Sequence, residues 1–299
     1  MTKASPLTSV SATREVLEKH GLATKKALGQ HFLINDGIVS RICELAEVDA
    51  CDCVLEVGPG IGTLSLALLD RAQSVIAIER DKDLPKVLAD TCAGYKGTFT
   101  LIEKDALEVT EADIVSAANA VLEGRLPNKF ISNLPYAVAA TIILDFFESF
   151  EFLDSATLMV QKEVADRICA SPGSKAYGAY TIKLSLYAEP AGRFTVGPGN
   201  FFPPPRVDSA VVKLDRVDIS ASDELKKATG TMVDAAFANR RKTILNSCKT
   251  YFSAQGNQAA IEALPNILEQ AGISPSVRGE ALAREDFFRL GACFIAANV

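Results

Sequence analysis

Short apolar runs alternate with helical patterns through the first two-thirds of the chain, and this alternation most constrains the fold. Cys53–Val57, Ser74–Glu79, Thr98–Ile102, Lys129–Ser132 and Ala156–Val160 have strand length and are rich in Val, Ile, Leu or Phe. Helical patterns over Leu64–Leu69, Lys82–Ala89, Ala112–Ala120 and Val138–Phe147 separate them. A parallel neighbour needs a crossover of helix length, so this order predicts βαβ units around a mostly parallel α/β sheet.

Past Arg193 the texture changes. Gly197–Pro205 carries a Pro203-Pro204-Pro205 run and reads as a loop, since Pro cannot donate to a sheet ladder. Val207–Leu214 reads as one more strand and Asp215–Ser222 as a polar linker. Beyond it only helical patterns remain, over Glu224–Asn239, Arg241–Tyr251, Ala259–Ala271 and Glu285–Ala297. They predict a small all-helical second domain.

Composition narrows the function classes. Of the 299 residues 48% are hydrophobic and 23% charged, which fits a soluble globular protein. No apolar run is long enough to span a bilayer, and Met1–Val10 lacks the apolar core of a signal peptide. The 7 cysteines include no C-x-x-C pair and only 2 histidines are present, so neither a disulfide framework nor a metal site is expected. That cysteine usage points to a reducing, cytoplasmic setting. The net charge of −6 does not favour general nucleic-acid binding, yet basic residues cluster: Arg240, Arg241, Lys242 and Lys249 lie between Phe237 and Thr250 with no acid among them. Such a cluster is either a phosphate-binding face or a solvated helix surface.

Glu56-Val57-Gly58-Pro59-Gly60-Ile61-Gly62-Thr63 lies between a predicted strand and helix. Gly58 and Gly60 suit a turn where the backbone approaches a ligand closely, at the carboxyl end of a strand where open α/β sheets form their crevice. The third glycine comes one residue too early for a dinucleotide fingerprint, and no Lys-Ser/Thr follows as in a phosphate-binding loop. The same turn also closes a βα unit without any ligand. Glu79 ends the next strand, where a carboxylate can accept from both ribose hydroxyls of a nucleoside. Asp105 ends the third; it can accept from an adenine amino group or simply cap a helix.

Asn133-Leu134-Pro135-Tyr136 ends the fourth strand. An exocyclic adenine amine is a poor nucleophile because its lone pair is delocalised into the ring. The Asn133 side-chain carbonyl and a nearby backbone carbonyl can each take one N–H, localising the pair on nitrogen. Pro135 stiffens the turn, and Tyr136 offers a ring for an extracted base. By itself the tetrapeptide is also a common polar turn.

Together these segments resemble the bacterial small-subunit (16S) ribosomal RNA adenine dimethyltransferase family. The resemblance is carried by Lys26–Leu33 (KALGQHFL), Glu56–Leu64, Asn133–Tyr136, Gln161–Arg167, Ser174–Gly178, Phe202–Ala210 and Phe237–Thr243. It implies a Rossmann-like, S-adenosylmethionine-dependent methyltransferase fold with a seven-stranded, mostly parallel sheet. Residues 1–216 would be the catalytic domain, with 1–48 a helical extension, and 217–299 a helical rRNA-binding domain. S-adenosylmethionine would be held by His31, Leu33, Gly58, Gly60, Glu79, Asp105, Ala106 and Asn133. Asn133, Leu134, Pro135, Tyr136 and Phe202 would be catalytic, Phe202 facing Tyr136 across the target adenine. His31 stands where many members have Asn. Arg240, Arg241 and Lys242 would touch rRNA phosphates. The implied reaction places two methyls on N6 of each of two adjacent adenines in the 3′-terminal hairpin of 16S rRNA within the small subunit. It needs no metal, no membrane and only a monomer.

Two other readings share the motifs. A 23S rRNA adenine methyltransferase of the macrolide-resistance type would keep the glycine turn and the Asn-x-Pro-Tyr core, but Leu134 and the Phe202–Ala210 and Phe237–Thr243 segments favour the small-subunit enzyme. A non-catalytic assembly or mitochondrial transcription factor would call for an Arg-rich, acid-free leader; here Arg14 is the only Arg before residue 40, and Glu15 and Glu18 follow it.

Overall fold

The computed structural model describes residues 4–23, 30–121 and 124–299. Lys26–Gly29 of the first family segment thus lie outside the described residues. Along the chain run α1 (Val10–Lys19), β1 (Phe32–Leu33), α2 (Asp36–Leu45), β2 (Cys53–Val57), α3 (Thr63–Leu69), β3 (Ser74–Glu79), α4 (Leu84–Thr91), β4 (Thr98–Glu103), α5 (Glu111–Val121), β5 (Lys129–Asn133), α6 (Ala139–Ser149), β6 (Ser155–Gln161), α7 (Lys162–Ile168), α8 (Ala179–Ser185), β7 (Ala188–Val196), β8 (Phe201–Phe202), β9 (Ser209–Arg216), α9 (Asp223–Phe237), α10 (Ile244–Ala254), α11 (Gln258–Gln270) and α12 (Arg284–Ala296). Two compact units form, Met1–Ala165 with Pro190–Arg216, and Asp166–Glu189 with Val217–Val299.

The first unit is built on a seven-stranded sheet of order β4-β3-β2-β5-β6-β9-β7. Every residue of β2 and β3 is buried, as in a parallel sheet covered on both faces. The pairs β4–β3, β3–β2, β2–β5 and β5–β6 are parallel, whereas β9 runs antiparallel to β6, with Gln161 opposite Ser209. Strand order reverses at β2, because β3 and β4 lie to one side of it and β5 and β6 to the other. A ligand crevice opens at such a switch point.

The strands and helices expected between Cys53 and Val160 all form, with ends displaced by a residue or two. The expected linker starts later than its sequence suggests, since β9 continues through Arg216. Periodicity does not reveal β7: Ala188–Val196 contains Pro190 and Gly192 and is largely exposed, a composition tolerated at the end of a sheet. The short α7 and α8, of 7 residues each, are too brief for a helical period to stand out.

The second unit is helical. Met232, Ile244, Phe252, Leu264, Phe287 and Leu290 are buried in its core. α9 and α12 approach closely: a Cβ on Gly291 would overlap Thr229. The unit's longer segment starts at Val217, and Asp166–Glu189 joins it. The cause is local packing. Tyr177 is buried in the helical core and donates from Oη to the Leu282 carbonyl at 2.7 Å.

Arg216, the last residue of β9, secures the far end of α6. Its guanidinium donates to the carbonyls of Phe147 (3.1 Å), Phe150 (2.7 Å) and Leu153 (2.5 Å), and lies 5.1 Å from the Phe147 ring centroid. Carbonyls at a helix C-terminus have no intrahelical donor. Arg216→Ala is expected to lower unfolding free energy by about 2–3 kcal/mol, the scale of losing charge-assisted hydrogen bonds to partly buried acceptors. Urea titration reads this; a loss below about 0.5 kcal/mol would contradict it.

Candidate active site

At the carboxyl edge of β2, β3, β4 and β5 the first unit encloses a cavity of about 500 Å³. Gly58, Gly60, Glu79, Asp105, Ala106 and Asn133 all line it, as do His31 and Leu33 from the segment before α2. The glycine turn adopts positive φ at Gly58 (67°) and Gly60 (61°). At Gly60 a Cβ would stand 3.1 Å from the Phe32 ring, so the close approach requires glycine.

Glu79 is buried and accepts the Asp81 amide at 2.8 Å. Burial pushes its carboxyl above the usual range, against the pull of that hydrogen bond. Asp105 serves in both ways its position allows. Its Oδ1 accepts the Leu107 amide at 3.1 Å, capping the 3₁₀ turn Ala106–Glu108, while the residue lines the cavity. Its Oδ2 accepts from Arg80 Nη1 at 3.0 Å. The Leu107 amide, with Arg80 adding to it, holds the Asp105 carboxyl below the usual carboxylate range despite partial burial.

Asn133 is half-buried at the end of β5, and its Nδ2 donates to the His31 carbonyl at 3.2 Å. This commits the amino end of the amide, so Oδ1 is the group left to accept. Leu134 is buried and its amide bonds Met159 O at 3.0 Å. Pro135 and Tyr136 line the cavity. Tyr136 Oη shares a hydrogen bond with Ser209 Oγ at 2.5 Å, and burial pushes its phenol above the usual range. The His31 ring stacks on Tyr136, with centroids 5.9 Å apart and planes 24° from parallel. His31 Nδ1 lies 2.7 Å from Pro203 O; a carbonyl only accepts, so Nδ1 carries a proton and donates it there.

Phe202 is not brought to the cavity wall. It lies half-buried in β8, paired with Phe32 of β1, with the Arg14 guanidinium 5.1 Å from its ring centroid. Arg240, Arg241 and Lys242 occupy the α9–α10 connection in the second unit, all exposed. Arg240 is engaged there by Glu280 Oε2 at 2.8 Å and the Ser174 carbonyl at 3.3 Å.

The cavity also has Gln30, Glu56, Thr63 and Gln161, which lie in the quoted segments but carry no role there, and Arg80 and Lys104, which sequence reasoning passed over. Arg80 and Lys104 immediately precede or follow strand-end positions that had drawn attention through Glu79 and Asp105, and that adjacency was their only signal. Among the described residues, no group of three or more His, Cys, Asp or Glu is placed to hold a metal, and no helix is long and apolar enough to cross a membrane.

Comparison with known proteins agrees with this geometry. Residues 21–288 match the family model described as ribosomal RNA adenine dimethylase. An Enterococcus faecalis protein named ribosomal RNA small subunit methyltransferase A is 40% identical over 295 residues, covering 97% of each chain. A Staphylococcus aureus protein of the same name is 40% identical over 281 residues, covering 94% of this chain and 93% of its own. Among solved structures, a dimethyladenosine transferase from Plasmodium falciparum superimposes with a TM-score of 0.74 at 25% identity, covering 90% of this chain and 99% of that one. A 23S rRNA methyltransferase does so at 0.63 and 24%, covering 88% and 99%, a likeness of fold alone.

One acid of the cavity makes stability depend on pH. Glu56 is buried, accepts from Ser65 Oγ at 2.6 Å, and is pushed up to about 8 by burial, with Glu79 adding to the rise. The unfolded chain ionises it near 4.5, whereas the folded one keeps its proton to about 8. Its contribution to stability therefore falls as pH rises from about 4.5 to 8 and is flat above. Glu56→Gln removes that slope: relative to wild type it gains roughly 2–4 kcal/mol between pH 4 and pH 9. Denaturation midpoints across this range test it, and parallel curves would refute it.

Proposed function

The chain belongs to the ribosomal RNA adenine dimethylase family, and on that premise we propose that it carries methyl groups from S-adenosylmethionine to the N6 amines of two adjacent adenines in the 3′-terminal hairpin of 16S rRNA. It is an rRNA adenine methyltransferase, and the small-subunit relatives at 40% identity favour the 16S target. The observation that carries the chemistry is Asn133, whose amide is anchored through Nδ2 with Oδ1 left to accept.

The residues fit the cofactor. Glu79 would accept from the ribose hydroxyls and Asp105 from the adenine amine, and the turn at Gly58 and Gly60, both at positive φ, would admit the amino-acid tail. Thr63 also lines the cavity, and its buried hydroxyl has no hydrogen-bond partner among the described residues. His31, Leu33 and Ala106 complete the wall. When bound, the cofactor supplies an electrophilic methyl on a sulfonium.

Asn133 Oδ1 and a backbone carbonyl of the Asn133–Tyr136 turn accept the two N–H groups of the target amine and aim its lone pair at that methyl. Tyr136, pinned by Ser209 and backed by His31, stacks the extracted base. Positioning and exclusion of water supply the rate, and the proton leaves after transfer, so no metal or initial base is called for. Phe202, in the β1–β8 ribbon beside the site, would meet the base from its other face once RNA is bound. The second unit serves as the rRNA-binding domain. Arg241 and Lys242 contact phosphates there, and Arg240 does so with the charge it shares with Glu280. The enzyme works as a cytoplasmic monomer.

Radiolabelled S-adenosylmethionine supplied with unmethylated small subunits is expected to label dimethyladenine in 16S RNA. Label in 23S RNA would indicate the macrolide-resistance activity, and cofactor binding without transfer a non-catalytic factor. Asn133→Ala is expected to lower kcat by at least about 100-fold while cofactor affinity shifts only a few-fold, because it removes an interaction that strengthens at the reacting nitrogen. Retained turnover would refute this account of amine orientation.

A further inference from the structure

Arg80 has no part in the chemistry described above, yet it lines the same cavity and touches one of its carboxylates. Resting on the S-adenosylmethionine reading, we propose that Arg80 is a specificity-determining residue that fixes Asp105 as a pure hydrogen-bond acceptor, so that the site selects a 6-aminopurine cofactor over a 6-oxopurine one.

The geometry leads there directly. Two donors hold the carboxylate from two directions: the Leu107 amide on Oδ1 at 3.1 Å and Arg80 Nη1 on Oδ2 at 3.0 Å. Together they fix its rotation. A carboxylate has about four lone-pair sites, so an acceptor position remains for a third donor. An adenine presents an N–H at its 6-position; hypoxanthine presents a carbonyl, which has nothing to donate. An ionised, oriented carboxylate therefore pairs with the first and repels the second. A protonated or freely turning carboxyl would donate to the carbonyl and lose the distinction. Both donors on Asp105 favour its ionised form, and Arg80 supplies the nearby positive charge.

Arg80 is suited to ligand discrimination rather than to holding the fold. Its side chain is 50% exposed and that of Asp105 33%. Ion pairs so open to water add little to stability, so removing this one should leave the folded protein intact. The Asp105 carboxylate would keep its backbone donor but lose the partner that fixes its second oxygen.

The test uses the intact chain and two ligands, S-adenosylhomocysteine and its hypoxanthine counterpart, with binding measured by calorimetry. Wild type is expected to prefer the adenine ligand strongly. Arg80→Met, which keeps the apolar stem without the charge, is expected to cut that preference about tenfold, chiefly by weakening the adenine ligand. Arg80→Lys restores a charge and should recover part of the preference. In turnover the loss should fall on KM for S-adenosylmethionine and leave KM for RNA within about twofold, a split that general loosening of the fold would not produce. Melting temperatures of the variants confirm folding. An unchanged preference in folded Arg80→Met overturns the role of Arg80 and leaves the cofactor reading standing. Wild type that binds both ligands alike overturns this inference and leaves the cofactor reading standing, whereas wild type that binds neither sinks both.

Discussion

The parallel register of β3, β2 and β5 is the constraint on which the site depends. Val57 pairs with Ile78, and Leu55 with both Ile76 and Phe130. These pairings finish the strands along one edge, where Asp105, Glu79, Gly58 and Asn133 follow in that order across the sheet. Side chains alternate between faces, so a slip of one residue would turn Glu79 or Asn133 to the opposite side. Full burial of β2 and β3 makes such a slip costly, because it would exchange the residues packed on each covering layer.

This arrangement concentrates acidic side chains around the cavity. Glu56 and Glu79 are both buried, burial raises the proton affinity of each and Glu79 adds to that of Glu56, while Asp105 is held below the usual carboxylate range at the rim. Two acids that are uncomfortable alone become favourable against a cation. Under the proposed reading, a ligand bearing a sulfonium and an ammonium sets positive charge beside these acids. The exposed basic residues Arg240, Arg241 and Lys242 belong instead to the second unit, in a chain whose net charge is −6.

Much of the fold was legible because its central strands are uniformly apolar and their helices regular. The site was legible to the extent that its residues sit at strand ends, positions that can be counted along the chain. Contacts brought together by folding were not. His31 reaches Pro203 across 172 residues and Tyr136 reaches Ser209 across 73. No spacing rule announces such pairs. Arg80 escaped notice because an exposed Arg beside a strand-end acid looks like solvated charge, and its meaning depends on Asp105, 25 residues on. Arg240 shows the reverse. It read as one of three equivalent basic residues, but folding gives it Glu280 as a neighbour and sets it apart from Arg241 and Lys242.

The strand that periodicity failed to reveal has a consequence for how the molecule behaves in a crowded cell. A sheet of this breadth must end somewhere, and an end strand offers unpaired amides and carbonyls to any extended chain nearby. β7 makes a poor template. Pro190 lacks the amide a new neighbour would need, Gly192 gives it no side chain to grip, and Glu189 and Arg193 place charge along the same stretch. Composition that weakens the strand as a signal also discourages edge-to-edge growth, and thus helps to keep separate copies of the enzyme from joining into aggregates.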